Sequence, residues 1–234
     1  MAPTPDEYIQ RIDRLKADMG EQGRRVAAML DQAIEAVFAR DAAACKKVID
    51  ADSVIDRVDV EVERAAVKLL GEIAREEAAI SDDRLRMVLT IVKVNNELER
   101  IADGAVDIAE MRESLACFED EIPKAFRVMA NSVIGLLHST VRSFENLDTD
   151  LARSVLASDE TVDEFERVIL RDAQKALSEG ALDLDAAFAL HAMAGRLEII
   201  NAHSCNIAEQ IIYVATGAIV RHQGGHWSEP TLPE

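Results

Sequence analysis

An acid-x-x-x-acid pattern stands at corresponding places in the two halves of this 234-residue chain, at Asp52 and Asp56 and again at Asp159 and Asp163. On a helix, residues at that spacing sit one turn apart on the same face. Each pair is followed by a second segment of helical pattern: Leu98-Glu99-Arg100-Ile101-Ala102-Asp103, then Leu197-Glu198-Ile199-Ile200-Asn201-Ala202. Like charges one turn apart repel, so the arrangement costs helix stability unless something positive lies between them. Two such helices side by side would offer four carboxylates to a hard, oxygen-seeking cation. The pattern therefore constrains the chain to a duplicated helical unit, and a metal-binding bundle is the first expectation.

The rest of the sequence agrees with helix on helix. Aromatic residues make up only 4%, with 10 glycines and 5 prolines, and Ala and unbranched side chains lose little on entering a helix. A hydrophobic share of 49% argues against disorder, so the expected class is soluble and all-α. The formal net charge of -18 repels nucleic acid and anionic lipid alike, leaving basic protein surfaces and metal cations as the favoured partners. Cys45, Cys117 and Cys205 are far apart and form no CxxC pair, which fits small buried fillers in a reducing compartment. Met1 to Asp18 is polar and amphipathic, and no segment approaches the roughly 18 apolar residues of a membrane span. The expected location is the cytoplasm.

Breaks along the chain divide it into six helices. Pro3 and Pro5 form a short leader before an apolar stripe of Ile9, Ile12, Leu15, Met19, Val26, Met29, Leu30, Ile34 and Val37. Asp41 reads as the cap of a second helix through about Ile73, and Ser81-Asp82-Asp83 as the cap of a third to about Met111. Pro123 fits the first turn of a fourth, to about Phe144. Asp148 or Asp150 opens a fifth that Gly180 ends, and Asp183 or Asp185 opens a sixth that stops at Gly217. Aligning Asp52 with Asp159 also matches Arg64 with Arg171 and Leu70 with Leu177; aligning Glu99 with Glu198 matches Ile108-Ala109-Glu110 with Ile207-Ala208-Glu209. A shorter loop around Gly180 would absorb the shift between the two alignments. The predicted organisation is one three-helix repeat over 1–117, a second over 118–220, and a loose tail over 221–234, with short loops favouring long antiparallel helices.

The ordered motifs resemble the PhoU family of phosphate-signalling regulators. In that family each of two three-helix repeats carries acid-x-x-x-Asp on one helix and Leu-Glu-Arg-Ile-Gly-Asp-His, leading into Asn-Ile-Ala-Glu, on the next. Leu98 to Gly104 with Asp107-Ile108-Ala109-Glu110 is similar to the first copy, and Leu197 to His203 with Asn206-Ile207-Ala208-Glu209 to the second. Tyr213-Val214-Ala215-Thr216-Gly217 with Arg221-His222 is similar to the family's C-terminal signature. The first copy keeps both acids but has Ala102 for Gly and Gly104 for His; the second has Ile199 for Arg and Ala202 for Asp. His203, five residues after Glu198, lies about 140° around the helix and so points away from that site.

Spacing alone leaves Asp52, Asp56, Glu99 and Asp103 readable as a solvated acidic face with Arg57 and Arg100 as local partners. The resemblance implies instead that they ligate metal, with Asp159, Asp163 and Glu198 as a second set. Iron, manganese, magnesium and zinc all remain open, with oxygen-only ligation favouring the first three. His138 reads as a core-edge residue and His191 as a packing one. No Glu-x-x-His pairs, Gly-rich phosphate loop, nucleophile elbow or organised Cys-His pair supports an enzyme. The resemblance implies a cytoplasmic adaptor that damps phosphate uptake and its regulon. Its partners would be a membrane-bound sensor histidine kinase and the ATPase subunit of a phosphate ABC transporter, and its membrane association would run through them only. Long helices with Ala-rich faces also suit a homodimer. Two alternatives stand beside this reading: a metal-handling helical bundle, and a regulator of a different phosphate permease.

Overall fold

The computed structural model describes residues 3–117 and 122–220, and these are helical with no strand. Helix α1 spans Pro5–Phe38, α2 Ala42–Arg75, α3 Asp82–Glu110, α4 Lys124–Asn146, α5 Thr149–Ala157, α6 Asp159–Ser178 and α7 Leu184–Thr216; a short 3-10 turn, Ser114–Cys117, follows α3. Side chains that satisfy orphan N–H groups set the starts. Thr4 and Glu7 close a capping box, which makes Pro5 the first helical residue rather than part of a leader. Asp41 accepts from Ala43 and Ala44 at 2.9 and 3.0 Å, Asp148 from Asp150 and Leu151, and Asp183 from Ala186 at 2.7 Å. Gly217, with φ of 76°, ends α7 in the left-handed region.

The expected fifth helix is broken. Ser158 separates α5 from α6; its N–H bonds Val155 O rather than the residue four back, and its hydroxyl bonds Ser154 O at 2.9 Å. Such back-bonding competes with the helical ladder and bends it. In consequence Asp159 begins α6, whereas Asp52 lies well inside α2. The register shift between halves is also not a loop effect, because the connectors 76–81 and 179–183 differ by one residue. The ends of α6 and α7 are instead shorter than those of α2 and α3.

Helices α1, α2 and α3 pack on one another, as do α4, α5, α6 and α7, and the two groups meet through α3 against α7 and α1 against α4. Tyr8, Ile12, Met19, Leu30 and Ile34 of α1 are fully buried, as are Ile91, Ile101 and Ile108 of α3 and Leu197, Ile200 and Ile211 of α7. Side chains of that size each contribute about 1.5–3 kcal/mol on burial. Ile9, expected in the α1 stripe, is only half-buried, and Tyr8 takes the inward position. The α1–α4 crossing is close: a Cβ on Gly23 would stand 3.0 Å from Val141. Cys45 and Cys205 are buried free thiols; the Cys117 side chain and the tail 221–234 lie outside the described residues. Among the described residues no helix is long and apolar enough to cross a membrane.

Candidate metal-binding faces on the two repeats

Antiparallel pairing of α2 with α3 brings the first four acids to one face. The carboxyls report one another's charge. Asp52 is raised above its ordinary value by burial, then by Asp56 and Asp103. Glu99 is raised by burial, then by Asp103 and Asp59, with Arg100 opposing and Asp56 adding least. Asp103 is raised by burial and by Asp56 and Asp107, with Arg100 and Arg196 opposing. Among the described residues none of these four carboxylates receives a hydrogen bond or an ion pair from a side chain; Arg57 and Arg100 are not bonded to them, and Arg100 acts on Glu99 and Asp103 only through its charge. A fifth acid, Asp59, belongs to the same face and is raised by burial, Glu63 and Asp56. The signal for it was present, since Asp59 follows Asp52 by seven residues, two turns along one stripe. Asn95 of α3 donates to it at 2.6 Å.

Helices α6 and α7 build the second face. Glu198 is raised by burial and by Glu166, Asp163 and Asp159, with His203 opposing. Glu166 is the counterpart of Asp59, seven residues after Asp159, and spacing alone would have found it as well. Asp159 differs from Asp52 in having donors: Asn201 Nδ2 at 2.7 Å and the Cys205 thiol at 3.5 Å. Burial, then the Asp159 charge, push that thiol far above its ordinary value. His203 points the other way, as its position around the helix requires, and meets Glu97 of α3 at 2.7 Å beside Asn206. Arg196 pairs with Asp107 at 2.7 Å across the same α3–α7 seam. The two contacts are related by the internal duplication, which matches Glu97 to Arg196 and Asp107 to Asn206.

The other histidines differ from expectation. His138 is exposed and meets Asp31 of α1 at 2.9 Å, and His191 is exposed beside Leu184 and Phe188 rather than packed.

Donor chemistry and geometry give separate answers about a metal. As the side chains stand, no three His, Cys, Asp or Glu residues among those described are grouped tightly enough to hold an ion. The first face nonetheless fits one chemically, with several mutually repelling oxygen donors and no positive partner bonded to them. Exposed carboxylates such as Asp56 and Asp103 reorient in picoseconds to nanoseconds.

Comparison with known proteins adds an independent line. A PhoU domain model matches residues 19–111 and 126–211, once on each helical group. The chain belongs to the PhoU family. The phosphate-specific transport system accessory protein PhoU homolog 1 of Thermotoga maritima is 30% identical over 214 residues, covering 90% of this chain and 89% of that protein. The crystal structure of PhoU from Pseudomonas aeruginosa superposes with a TM-score of 0.81 at 25% identity, over 90% of this chain and all of that one. That of the phosphate transport system regulatory protein PhoU from Streptococcus pneumoniae gives 0.82 at 20%, over 91% and 99%. The two-repeat, all-α PhoU fold is thus the fold of this chain, and both acid faces lie inside the matched stretches.

Proposed function

We propose that the chain regulates phosphate uptake and the phosphate-starvation response as a cytoplasmic adaptor rather than an enzyme. It would contact the ATPase subunit of a phosphate ABC transporter and a sensor histidine kinase. The proteins it resembles are accessory and regulatory proteins of phosphate transport, which supports the process. The observation that carries the mechanism is the unneutralised face of Asp52, Asp56, Glu99 and Asp103, each helix contributing two acids. A bound cation would supply charge neutralisation there, and oxygen donors suit manganese, magnesium or iron. The chain's own contribution is to hold α2 and α3 in register through Asn95 on Asp59 and through the apolar seam behind them, so that the acids share one face.

The test is complementation. In a strain lacking its own copy of the gene, the intact chain should restore repression of a phosphate-starvation reporter in phosphate-rich medium. A Glu99→Ala/Asp103→Ala variant made to the same level should leave the reporter at least several-fold derepressed. Full repression by the variant would separate the acid face from regulation. Failure of the intact chain to repress would remove the phosphate reading itself.

A further inference from the structure

The two acid faces handle their charge in different ways. On α3 the first face has Glu99 and Asp103; its Asp59 takes the Asn95 amide, while Asp52, Asp56, Glu99 and Asp103 have no side-chain donor among the described residues. On α7 the second face keeps only Glu198, because Ala202 stands where Asp103 does. One residue earlier, Asn201 stands where Ala102 does, is 1% exposed, and donates its amide to Asp159 at 2.7 Å. Cys205, one turn further along α7, donates its thiol to the same Oδ1 at 3.5 Å. Asp159 also begins α6, where the unpaired N–H groups and the helix dipole favour a negative charge. Ile199, in place of Arg100, is 41% exposed, so this face has lost a cationic neighbour as well as an acid.

From these differences we propose that the second face holds no cation. The Asn201 amide, the Cys205 thiol and the start of α6 give Asp159 the compensation that its counterpart Asp52 lacks. The PhoU fold is then a one-face metal binder in this chain, with its second half held together without an ion. Three features carry the inference: a lost oxygen donor, a buried amide aimed at Asp159, and a thiol on the same oxygen. To ligate through Oδ1, Asp159 would have to release both donors, stranding a buried N–H and a buried thiol. The inference rests on the metal reading of the first face, and the variants below separate the two.

The experiment is equilibrium binding of Mn²⁺ to the full chain, with bound metal counted by mass spectrometry. Four variants accompany the wild type: Asp159→Asn/Glu198→Gln, Asp163→Asn, Glu99→Gln/Asp103→Asn, and Ala202→Asp. Bound manganese should be unchanged, within about two-fold in affinity, in both second-face variants, and Asp163→Asn covers the case in which Asp159→Asn misfolds. Manganese should vanish in the first-face variant, and Ala202→Asp should gain at least one equivalent over wild type. Loss of manganese in either second-face variant, or no gain in Ala202→Asp, would overturn the inference. No manganese on the wild type would defeat the first-face reading alone, because the gain in Ala202→Asp still reports on the second face.

Discussion

Asp52, Glu99 and Asp103 hold their protons to higher pH in the folded chain than they would unfolded, because burial and neighbouring acids disfavour their ionised forms. Groups raised in this way add stability below the ordinary carboxylate range and lose it as pH rises through their folded values. Glu97 has the opposite sign. Burial alone would raise it, but hydrogen bonds from His203 and Asn206 and the His203 charge hold it below its ordinary value, so its contribution is lost as pH falls. Asp59 and Glu198 are raised too, while Glu72 and Asp83 are lowered like Glu97; the raised acids titrate in the upper part of the carboxylate range, so metal-free protein should melt at higher temperature near pH 5 than near pH 7. Asp103→Asn should raise stability by roughly 0.3–0.5 kcal/mol, the scale of one like-charge pair a turn apart, and should flatten that slope. Thermal melts in chelator at the two pH values decide it; a wild-type slope of the other sign would mean the acids are well solvated and do not feel one another. At this scale the sequence made the paired acids legible, since spacing four defines them. Asn95 and Asn201 were not legible as partners of Asp59 and Asp159, because nothing in the spacing says which way a buried amide points across an interface.

Among elements, the helix boundaries could be read where a cap spells them: Asp41, Asp148 and Asp183 start helices and Gly217 ends one, as their chemistry requires. The break at Ser158 could not. Ser is an ordinary helix resident: Ser132, Ser139 and Ser204 make the same hydroxyl bond inside unbroken helices, and only the backbone bond from Ser158 N–H to Val155 O, three residues back, reveals the turn. The α3–α7 seam was equally hidden. Gly104, met in sequence as a departure from the family motif, is where the two helices approach, and an added Cβ would stand 2.8 Å from Ile200, itself fully buried. Overpacking of this kind costs about 1–3 kcal/mol, against about 1 kcal/mol gained in helix propensity. Gly104→Ala should therefore lower stability by up to about 2 kcal/mol. Combined with Ile200→Ala it should cost less than the two single changes added, with coupling above about 0.5 kcal/mol. Denaturant melts of the four-member cycle test this; strict additivity would mean the helices separate freely to admit the methyl group.

For the molecule as a whole, the duplication places α3 and α7 against each other in the middle, with α1 and α4 also meeting and the acid faces turned toward α2 and α6. The seam is polar at its ends, where Glu97 meets Asn206 and Asp107 meets Arg196, and apolar between them. Half-exposed pairs of that kind contribute about 0–1 kcal/mol each, so it is the apolar middle that holds the repeats together. The seam also lies within a turn or two of both acid faces: Asp107 and Arg196 act on Asp103, and His203 acts on Glu198. Under the proposed function one face, between α2 and α3, takes the cation and is stiffened by it. Hydrogen exchange of the full chain with and without Mn²⁺ tests it most directly. Exchange should slow around Asp52–Asp59 and Glu99–Asp103 on adding metal, with α6 and the facing stretch of α7 unchanged. Slowing confined to α6 and α7, or no slowing in α2 and α3, would contradict it.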